Sequence, residues 1–411
     1  MAIPVTEIIN RTHSEQKSWP RSWQSYLALL VMAGAVTAIV LLGFSNREAS
    51  LTAGFGFLFG YIMQRSRFCF AAAFRDIFMI RNTALSRAVL LLFILTSIGF
   101  ALVQMAGGNT LPASGIIYPV GFHTVAGGLI FGFGMVIAGN CVSGCLMRMG
   151  EGYLMQWVTF IGILMGSAFG AWNLAWWGRV FIESSPVIYL PESLGWALTL
   201  ILYVAAVALL YLLAIWYERG TLKNFMPGNR EKLSPGAAIS KAMRTAFSSN
   251  NWSYSLGAVG LALTGTLLFY FWGKPAAITG GLTHFVGWIG MKLGLAPLEW
   301  YYFEELLFLE SRRVFLEHPL LYLSAAIIVG SLFASLLHRE FRIRRPKSGK
   351  FIYSALIGGA MLGFSSRVAM GCNFGGLWGG FASFSLHSWV FGLFILVGAY
   401  FGGKFFLRYL L

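Results

Sequence analysis

One glycine-rich apolar segment occurs twice in this 411-residue chain, at an offset of 231 positions. The first copy, GGLIFGFGMVIAGNCVSG, begins at Gly127, and the second, GGAMLGFSSRVAMGCNFG, begins at Gly358. Each copy ends in a cysteine with glycines on both sides, Cys141 in the first and Cys372 in the second. A duplicated apolar segment that glycines interrupt is typical of the binding region of a transporter built from internal repeats.

Only 11% of the residues are charged and 57% are hydrophobic, whereas a soluble domain carries about 25% charged residues. Apolar runs long enough to cross a bilayer, about 17–25 residues, recur along the chain. The clearest are Tyr26–Leu42, Ala88–Met105, Leu154–Trp177, Trp196–Trp216, Leu256–Trp272, Leu320–Leu337 and Trp389–Leu411. The first run has no small-residue cleavage site after it, so we interpret it as an anchor. We expect an all-α integral membrane protein with about nine to ten transmembrane helices, whose short broken helices and loops meet at mid-membrane.

The net charge of +15 is concentrated in three loops, Arg65–Arg87, Arg219–Arg244 and Arg339–Lys350. The intervening loops differ, because Gly107–Thr124 has no Lys or Arg and Lys274–Glu317 has four Lys/Arg against five Glu. Basic residues gather in the cytoplasmic loops of membrane proteins. The distribution therefore indicates a membrane topology and gives no indication of nucleic-acid binding.

With the basic loops on the cytoplasmic side, the first cysteine segment runs inward and the second runs outward, and the short run Leu51–Met63 returns inward. This predicts an inverted-topology repeat in which Cys141 and Cys372 face each other near the midplane. Both termini are then cytoplasmic. The predicted division is a cytoplasmic tail at 1–25, a first membrane repeat at 26–217, a basic cytoplasmic linker at 218–252 and a second membrane repeat at 253–411, all within one membrane domain.

The glycines and asparagines around the two cysteines predict helix breaks. In a bilayer such breaks persist only where they line a cavity or are buried in protein, and the following half-helix presents free N–H groups that favour an anion. A thiol adds a weak S–H donor and a polarisable sulfur. This combination suits a sulfur-bearing oxyanion, whose oxygens accept from N–H and whose terminal sulfur accepts from S–H. The predicted pathway residues at the breaks, besides the cysteines, are Gly139, Asn140, Gly144, Gly371, Asn373 and Gly375.

Three arginines add to this anion hypothesis. Arg367 lies five residues before Cys372 in an otherwise uncharged segment, and a charge at membrane depth indicates function; the alternatives are that it reaches the inner interface or pairs with a carboxylate. Arg67 and Arg75 flank Cys69 in a basic loop. That loop could be a cytoplasmic exit with a thiol at its mouth, or an anchor loop with an idle cysteine.

The remaining candidates predict little chemistry. Cys145 has a glycine, Gly376, at the matching place in the second copy, so we expect it to pack. Arg148 and Glu151, at i,i+3 spacing, predict a local ion pair. The four cysteines form no CxxC pair or histidine-containing ligand set, so no metal or cofactor is predicted. A GxxxxGK[ST] motif is absent, which argues against direct ATP drive.

The chain resembles the YeeE/YedE family of bacterial sulfur-transport membrane proteins in the two repeats around Cys141 and Cys372 and in RFCFAAAFRD around Cys69. The segment RVAMGCNFGGLWGGFASFSLHSW around Cys372 resembles the YedE branch of this family in particular. The resemblance extends over roughly Gly54–Phe401. It implies thiosulfate uptake across the inner membrane through a fold of inverted repeats, with Cys372, Cys141 and Cys69 as a relay of S–H···S contacts. It also implies that a sulfur-carrier protein in the cytoplasm, if one receives the sulfur, is a separate chain.

Three alternatives to thiosulfate uptake stay open at this point. The YedE branch is also linked to selenium metabolism, so the substrate could be a selenium compound. A membrane protein for thiol or persulfide exchange would use low-pKa thiols and a resolving cysteine, which Cys141 and Cys145 could supply. A purely structural membrane subunit is disfavoured, because the same break recurs at one offset. The composition and motifs thus predict a transporter and not an enzyme.

Overall fold

The computed structural model describes residues 22–106, 116–222, 252–304, 315–346 and 348–409. Most of the predicted N-terminal tail and of the predicted linker lies outside these residues. The helices of the first half are α1 (Ser22–Ser45), α2 (Arg47–Ser66), α3 (Phe70–Met79), α4 (Ala84–Ala106), α5 (Phe122–Ile137), α6 (Val142–Gly150), α7 (Leu154–Trp172), α8 (Leu174–Trp177), α9 (Leu190–Leu194) and α10 (Trp196–Leu222). A π-helical turn (Gly178–Ile182) follows α8.

The second half has the same helical character. Its helices are α11 (Tyr254–Trp272), α12 (Thr279–Lys292), α13 (Tyr301–Glu304), α14 (Pro319–Leu337), α15 (Gly349–Val368), a π-helical segment (Asn373–Gly379) that continues into α16 (Gly380–Ala382), and α17 (Leu386–Tyr409), with 3₁₀ turns at Pro297–Glu299 and Phe315–Glu317. Pairing between extended residues is limited, in the described ranges, to isolated bridges.

Nine stretches of the described chain are long and apolar enough to cross a membrane. They include every apolar run that the composition singled out, and they add Phe122–Gly150 and Gly349–Val368, which carry the two glycine-rich segments. The expectation of an all-α membrane protein with about nine to ten spans is therefore confirmed. Most side chains of α1 and α10 are exposed, which is the pattern of helices that face lipid.

The two glycine-rich segments pack directly against each other. A Cβ added at Gly127 in α5 would lie 2.6 Å from the Cβ of Ala369, just after α15. A Cβ added at Gly358 in α15 would lie 2.8 Å from the Cβ of Ala138, just after α5. At the 231-residue offset Gly358 corresponds to Gly127 and Ala138 corresponds to Ala369, so the repeat makes the two contacts equivalent. The start of each segment therefore meets the end of its copy, so α5 and α15 run antiparallel.

The helices that flank this pair repeat the same packing. A Cβ at Gly132 in α5 would lie 2.2 Å from the backbone oxygen of Ile395 in α17. A Cβ at Gly363 in α15 would lie 2.1 Å from the backbone oxygen of Ile163 in α7. Close approach of backbones at small residues is how helices associate in lipid. Because α17 packs on α5 and α7 packs on α15, the halves are interwoven, and the division into two repeats stays a description of the sequence.

The first and third basic loops meet on one face of the bundle. Arg67, after α2, forms an ion pair with Glu340, after α14, at 2.9 Å between Nη2 and Oε2. The N–H of Trp252, at the end of the basic linker, donates to the backbone oxygen of Arg65 at 2.9 Å. The amide of Gln24 at the start of α1 donates to a backbone oxygen in the third basic loop. We refer to this surface as the basic face.

Candidate functional site

Three helix breaks in the interior share one local structure. In each, a residue with positive φ ends one helix, one further residue follows, and a cysteine in extended conformation precedes the next helix. The three residues with positive φ and their values are Arg67 (53°), Gly139 (77°) and Met370 (57°). The three cysteines, which precede α3, α6 and the π-helical segment, are Cys69, Cys141 and Cys372.

The breaks at Cys141 and Cys372 agree with the sequence interpretation, whereas the break at Cys69 was missed. Cys69 is buried, with 3% of its surface exposed, two residues after Arg67 at the start of α3. A positive φ at Arg67 is unfavourable for a residue with a Cβ, and nothing in the local sequence marks it. The recurrence of the pattern x-x-Cys after an apolar helix is visible only once the helix ends are known.

Cys69 and Cys141 form one cluster with Asn140. The Cys69 thiol donates to Oδ1 of Asn140 at 3.5 Å, and the Cys141 thiol is its immediate neighbour. The Cys141 sulfur also lies 3.3 Å from Oγ of Ser143. Gly144 makes this approach possible, because a Cβ there would lie 3.1 Å from the Cys69 sulfur. The partner of Cys141 is therefore Cys69, and the expected meeting of Cys141 with Cys372 is not what these contacts show.

This cluster retains hydrogen-bond donors that could hold an anion. None of the three cysteine side chains caps the helix that it precedes, and the first N–H groups of a helix have no partner within the helix. The Nδ2 atom of Asn140 is buried and has no hydrogen-bond partner in the described part of the chain. A buried unpaired amide donor costs about 1–3 kcal/mol, so a residue of this kind is expected where a ligand accepts its hydrogen.

The turn at Cys372 faces the last turn of α5. The amide Nδ2 of Asn373 donates to Sδ of Met135 at 3.7 Å, while its Oδ1 atom has no partner among the described residues. Gly375, the counterpart of Gly144, would place a Cβ 2.9 Å from the Cβ of Ala277. Met135 thus adds a thioether, a second kind of sulfur, beside the turn at Cys372. Sequence reasoning missed it because a methionine in an apolar helix is ordinarily a packing residue.

Arg367 is buried at the end of α15, with 6% of its surface exposed. It lies 18 residues beyond Gly349, near the basic face, which is about 27 Å along a helix. Arg367 therefore lies at the end of α15 that is away from the basic face. Its Nη1 donates to the hydroxyl of Tyr302 and its Nη2 to Oγ1 of Thr279, both at 2.7 Å.

The predicted exit arginines are ion-paired. Arg67 contacts Glu151 at 3.3 Å as well as Glu340, and Arg75 contacts Asp76 at 2.8 Å. The local pair of Arg148 with Glu151 is thus replaced, because Glu151 turns to Arg67. Burial raises the pKa of Glu151, and the nearby Arg67 guanidinium opposes this rise only in part.

Cys145 packs as expected. Its thiol donates to the backbone oxygen of Gln156 in α7 at 3.1 Å, and the residue is fully buried.

Among the described residues there is no group of three His, Cys, Asp or Glu side chains that could hold a metal ion.

Broken helices whose ends carry buried thiols, enclosed by apolar spans, define a multi-pass membrane transporter. The family model for sulphur transport matches residues 65–401, so the chain belongs to the sulphur-transport family, YeeE/YedE. The chain is 27% identical to the thiosulfate transporter TsuA of Spirochaeta thermophila over 365 residues, and these residues cover 84% of this chain and 94% of the relative.

Two further relatives come from Escherichia coli strain K12. The thiosulfate transporter TsuA is 29% identical over 352 residues, which cover 84% of this chain and 91% of the relative. The probable transporter YedE is 32% identical over 142 residues, which cover 34% of each chain. These similarities confirm the resemblance on which the sequence interpretation rested, and they place the protein among transporters and not among enzymes.

Proposed function

We propose that the protein carries thiosulfate, or a related sulfur-containing anion, across the bacterial inner membrane along a pathway lined by Cys372, Cys141 and Cys69. The observation that carries the proposal is the recurrence of one helix break, with a buried cysteine at its end, three times in the interior. The similarity to two proteins named thiosulfate transporters, each over 84% of this chain, supports the choice of anion.

The chemistry of the breaks matches that anion. Thiosulfate has three hard oxygens and one soft terminal sulfur. The oxygens can accept from the uncapped N–H groups at the helix starts and from Nδ2 of Asn140, and helix N-termini favour negative charge. The terminal sulfur can accept from the thiols, which are weak donors. Sulfate has no soft atom and gains nothing from a thiol, so the pathway should discriminate between the two anions.

The contacts suggest an order along the pathway. Asn373, the residue after Cys372, contacts Met135, and Cys141, six residues after Met135, lies beside Cys69. Cys69 directly follows Arg67 and Phe68, at the basic face. If the basic face is cytoplasmic, as the positive-inside rule requires, both termini are cytoplasmic and the anion passes from Cys372 to Cys141 to Cys69. A separate sulfur-carrier protein could then accept it there.

The test is uptake of ³⁵S-labelled thiosulfate by cells that lack other uptake routes and express the wild type or single variants. Cys69→Ala, Cys141→Ala and Cys372→Ala should each reduce uptake at least tenfold at unchanged membrane expression. Cys145→Ser, a matched buried thiol outside the pathway, should keep most of the uptake.

Competitors define the substrate class. Labelled sulfate should not be taken up by the same cells, and competition by selenite would widen the substrate class to selenium oxyanions. Normal uptake by any one of the three alanine variants would overturn the cysteine pathway, and absence of uptake by well-inserted wild type would overturn thiosulfate as the substrate.

A further inference from the structure

The Arg367 guanidinium is a buried cation that has no counter-ion in the described part of the chain. Among the described residues its hydrogen bonds go to two neutral hydroxyls, those of Tyr302 and Thr279, and it takes part in none of the ion pairs. Its Nε atom is buried and has no hydrogen-bond partner there. Burying an unpaired charge costs several kcal/mol, so an arginine in this position calls for an anion.

The internal repeat provides a control for the packing role of this arginine. Val136 occupies the matching place in the first copy. A Cβ at Gly402 in α17 would lie 3.1 Å from the Cβ of Val136, and a Cβ at Gly170 in α7 would lie 3.0 Å from the Cβ of Arg367. The same helix crossing is thus built with a valine in one copy and an arginine in the other. The packing therefore does not require the guanidinium.

The surroundings of Arg367 are polar but supply no negative charge among the described residues. The Tyr302 ring lies under the guanidinium, 5.1 Å from its carbon to the ring centroid. His284 stacks on His318 at 3.9 Å between ring centroids, next to Tyr302. Burial lowers the pKa of His318 to about 4, so that ring is neutral at pH 7.

The arginine lies close to the second cysteine turn. Thr279, which accepts from Arg367, is two residues from Ala277, which contacts the turn at Gly375. Arg367 itself is five residues before Cys372 along the chain. An anion held by the guanidinium would therefore sit next to the first thiol of the pathway, on the side away from the basic face.

We propose that Arg367, Tyr302 and Thr279 form a capture site for a divalent oxyanion at the pathway end opposite the basic face, from which the anion moves to Cys372. The inference rests on the proposed function for the direction of transport and for thiosulfate as the probe. The site recognises charge and oxygen atoms through Nε and the remaining Nη hydrogens. It should therefore bind sulfate as well as thiosulfate, and the thiols alone select between them.

The first experiment measures thiosulfate uptake kinetics for Arg367→Val, the residue of the first copy, and for Arg367→Lys. Loss of a charged hydrogen-bond donor should raise KM about tenfold to a hundredfold for the valine variant, with a smaller change in the maximal rate. Lysine keeps the charge and should recover part of the affinity. Arg179→Gln, an exposed arginine near Tyr301 at the same end of the bundle, is the control and should leave KM unchanged.

The second experiment measures binding to purified protein that carries Cys372→Ala, so that transport does not intervene. Thiosulfate and sulfate should each raise the unfolding temperature of this protein. Adding Arg367→Val should abolish both shifts, without lowering the unfolding temperature in the absence of anion. If the arginine variants do not insert, Thr279→Val, which keeps the charge, should still raise KM several-fold.

The outcomes separate the two proposals. No thiosulfate uptake by the wild type would overturn the proposed function. Uptake that depends on Cys372 but has an unchanged KM in Arg367→Val would overturn the capture site alone. A lower unfolding temperature in Arg367→Val, with thiosulfate and sulfate still stabilising the protein, would show that the arginine only joins α15 to its neighbours.

Discussion

The two copies of the glycine-rich segment share a scaffold and differ in their polar residues. In both, a long helix packs on a parallel neighbour at glycines, ends in a residue with positive φ and gives way to a cysteine before a short helix. The first copy has Asn140 before its cysteine and Val136 one turn earlier, whereas the second has Gly371 and Arg367. The backbone arrangement is thus independent of the chemistry that each copy carries.

This difference gives the proposed pathway two unlike ends. The first copy places its cysteine beside a second thiol and close to the basic face, where Arg67 is already paired with Glu151 and Glu340. The second copy places at the opposite end a guanidinium that takes part in none of the ion pairs among the described residues. In the proposed pathway, this arrangement favours entry of the anion there and its release at the basic face.

The largest effect is expected where the copies are most alike. Gly132→Leu and Gly363→Leu would each drive a side chain into a backbone oxygen that already lies 2.2 or 2.1 Å from an added Cβ. Overpacking costs about 1–3 kcal/mol and often more, and here two backbones must separate. Both variants should lose folded protein almost completely, as measured by size-exclusion chromatography of detergent extracts.

Gly54→Ala is the control for these two, because a Cβ at Gly54 in α2 has nothing within 4 Å. That variant should be at least as stable as the wild type. If one leucine variant folds normally while the other fails, the two helix crossings are not equivalent, and the comparison of the copies fails with it.

A smaller, purely functional effect is expected at Asn140. Asn140→Asp is isosteric, but it replaces the unpaired Nδ2 donor with a carboxylate oxygen that repels an anion. Uptake should fall about tenfold or more, with normal expression. Asn373→Asp is the matched comparison, because Nδ2 of Asn373 already donates to Met135. An equal loss in both variants would show that burial of charge, and not the loss of a donor, is responsible.

Cys145 separates the transporter from the thiol-exchange alternative. A serine at this position keeps the hydrogen bond to the backbone oxygen of Gln156 and nearly the same volume. We expect uptake within about twofold of the wild type, since such swaps cost little where the bond is kept. Loss of all activity in Cys145→Ser would instead indicate that Cys145 resolves a disulfide with Cys141, and the uptake assay on membranes of equal protein content decides this.

Much of the fold could be predicted from the sequence, because a lipid environment requires long apolar runs and because the two glycine-rich segments match at an offset of 231 residues. The breaks at Cys141 and Cys372 were also predictable from their glycines. The break at Cys69 was not, because the residue with positive φ is an arginine and its loop has the charge of an ordinary topology signal. Local sequence carries no mark of a conformation that tertiary packing imposes.

Partners in space were the least predictable part of the site. Cys141 meets Cys69, 72 positions away, although the repeat suggested that it would meet Cys372. Likewise Glu151 pairs with Arg67 and not with its near neighbour Arg148. In both cases a local or symmetric pattern predicted one partner, and packing against the break between α2 and α3, which contains Arg67 and Cys69, supplied another. Such contacts join residues far apart in the sequence, and no single segment encodes them.

The smallest expected effect concerns the ion pairs at the basic face. Since burial raises the pKa of Glu151 above 4.5, folding favours its neutral form. The stability that this group contributes is present below pH 4.5 and is lost as the pH rises through the pKa of the folded state. In acid, Glu151→Gln should therefore have the same unfolding temperature as the wild type, and at pH 7 its unfolding temperature should match or exceed that of the wild type.

Glu340→Gln removes a more exposed carboxylate, at 2.9 Å from Arg67, and should lower stability by about 1 kcal/mol or less. A fall in unfolding temperature for Glu151→Gln at pH 7 that exceeds the fall for Glu340→Gln would show that the Arg67 pair outweighs desolvation, and the basic face would then be held by charge and not only by packing.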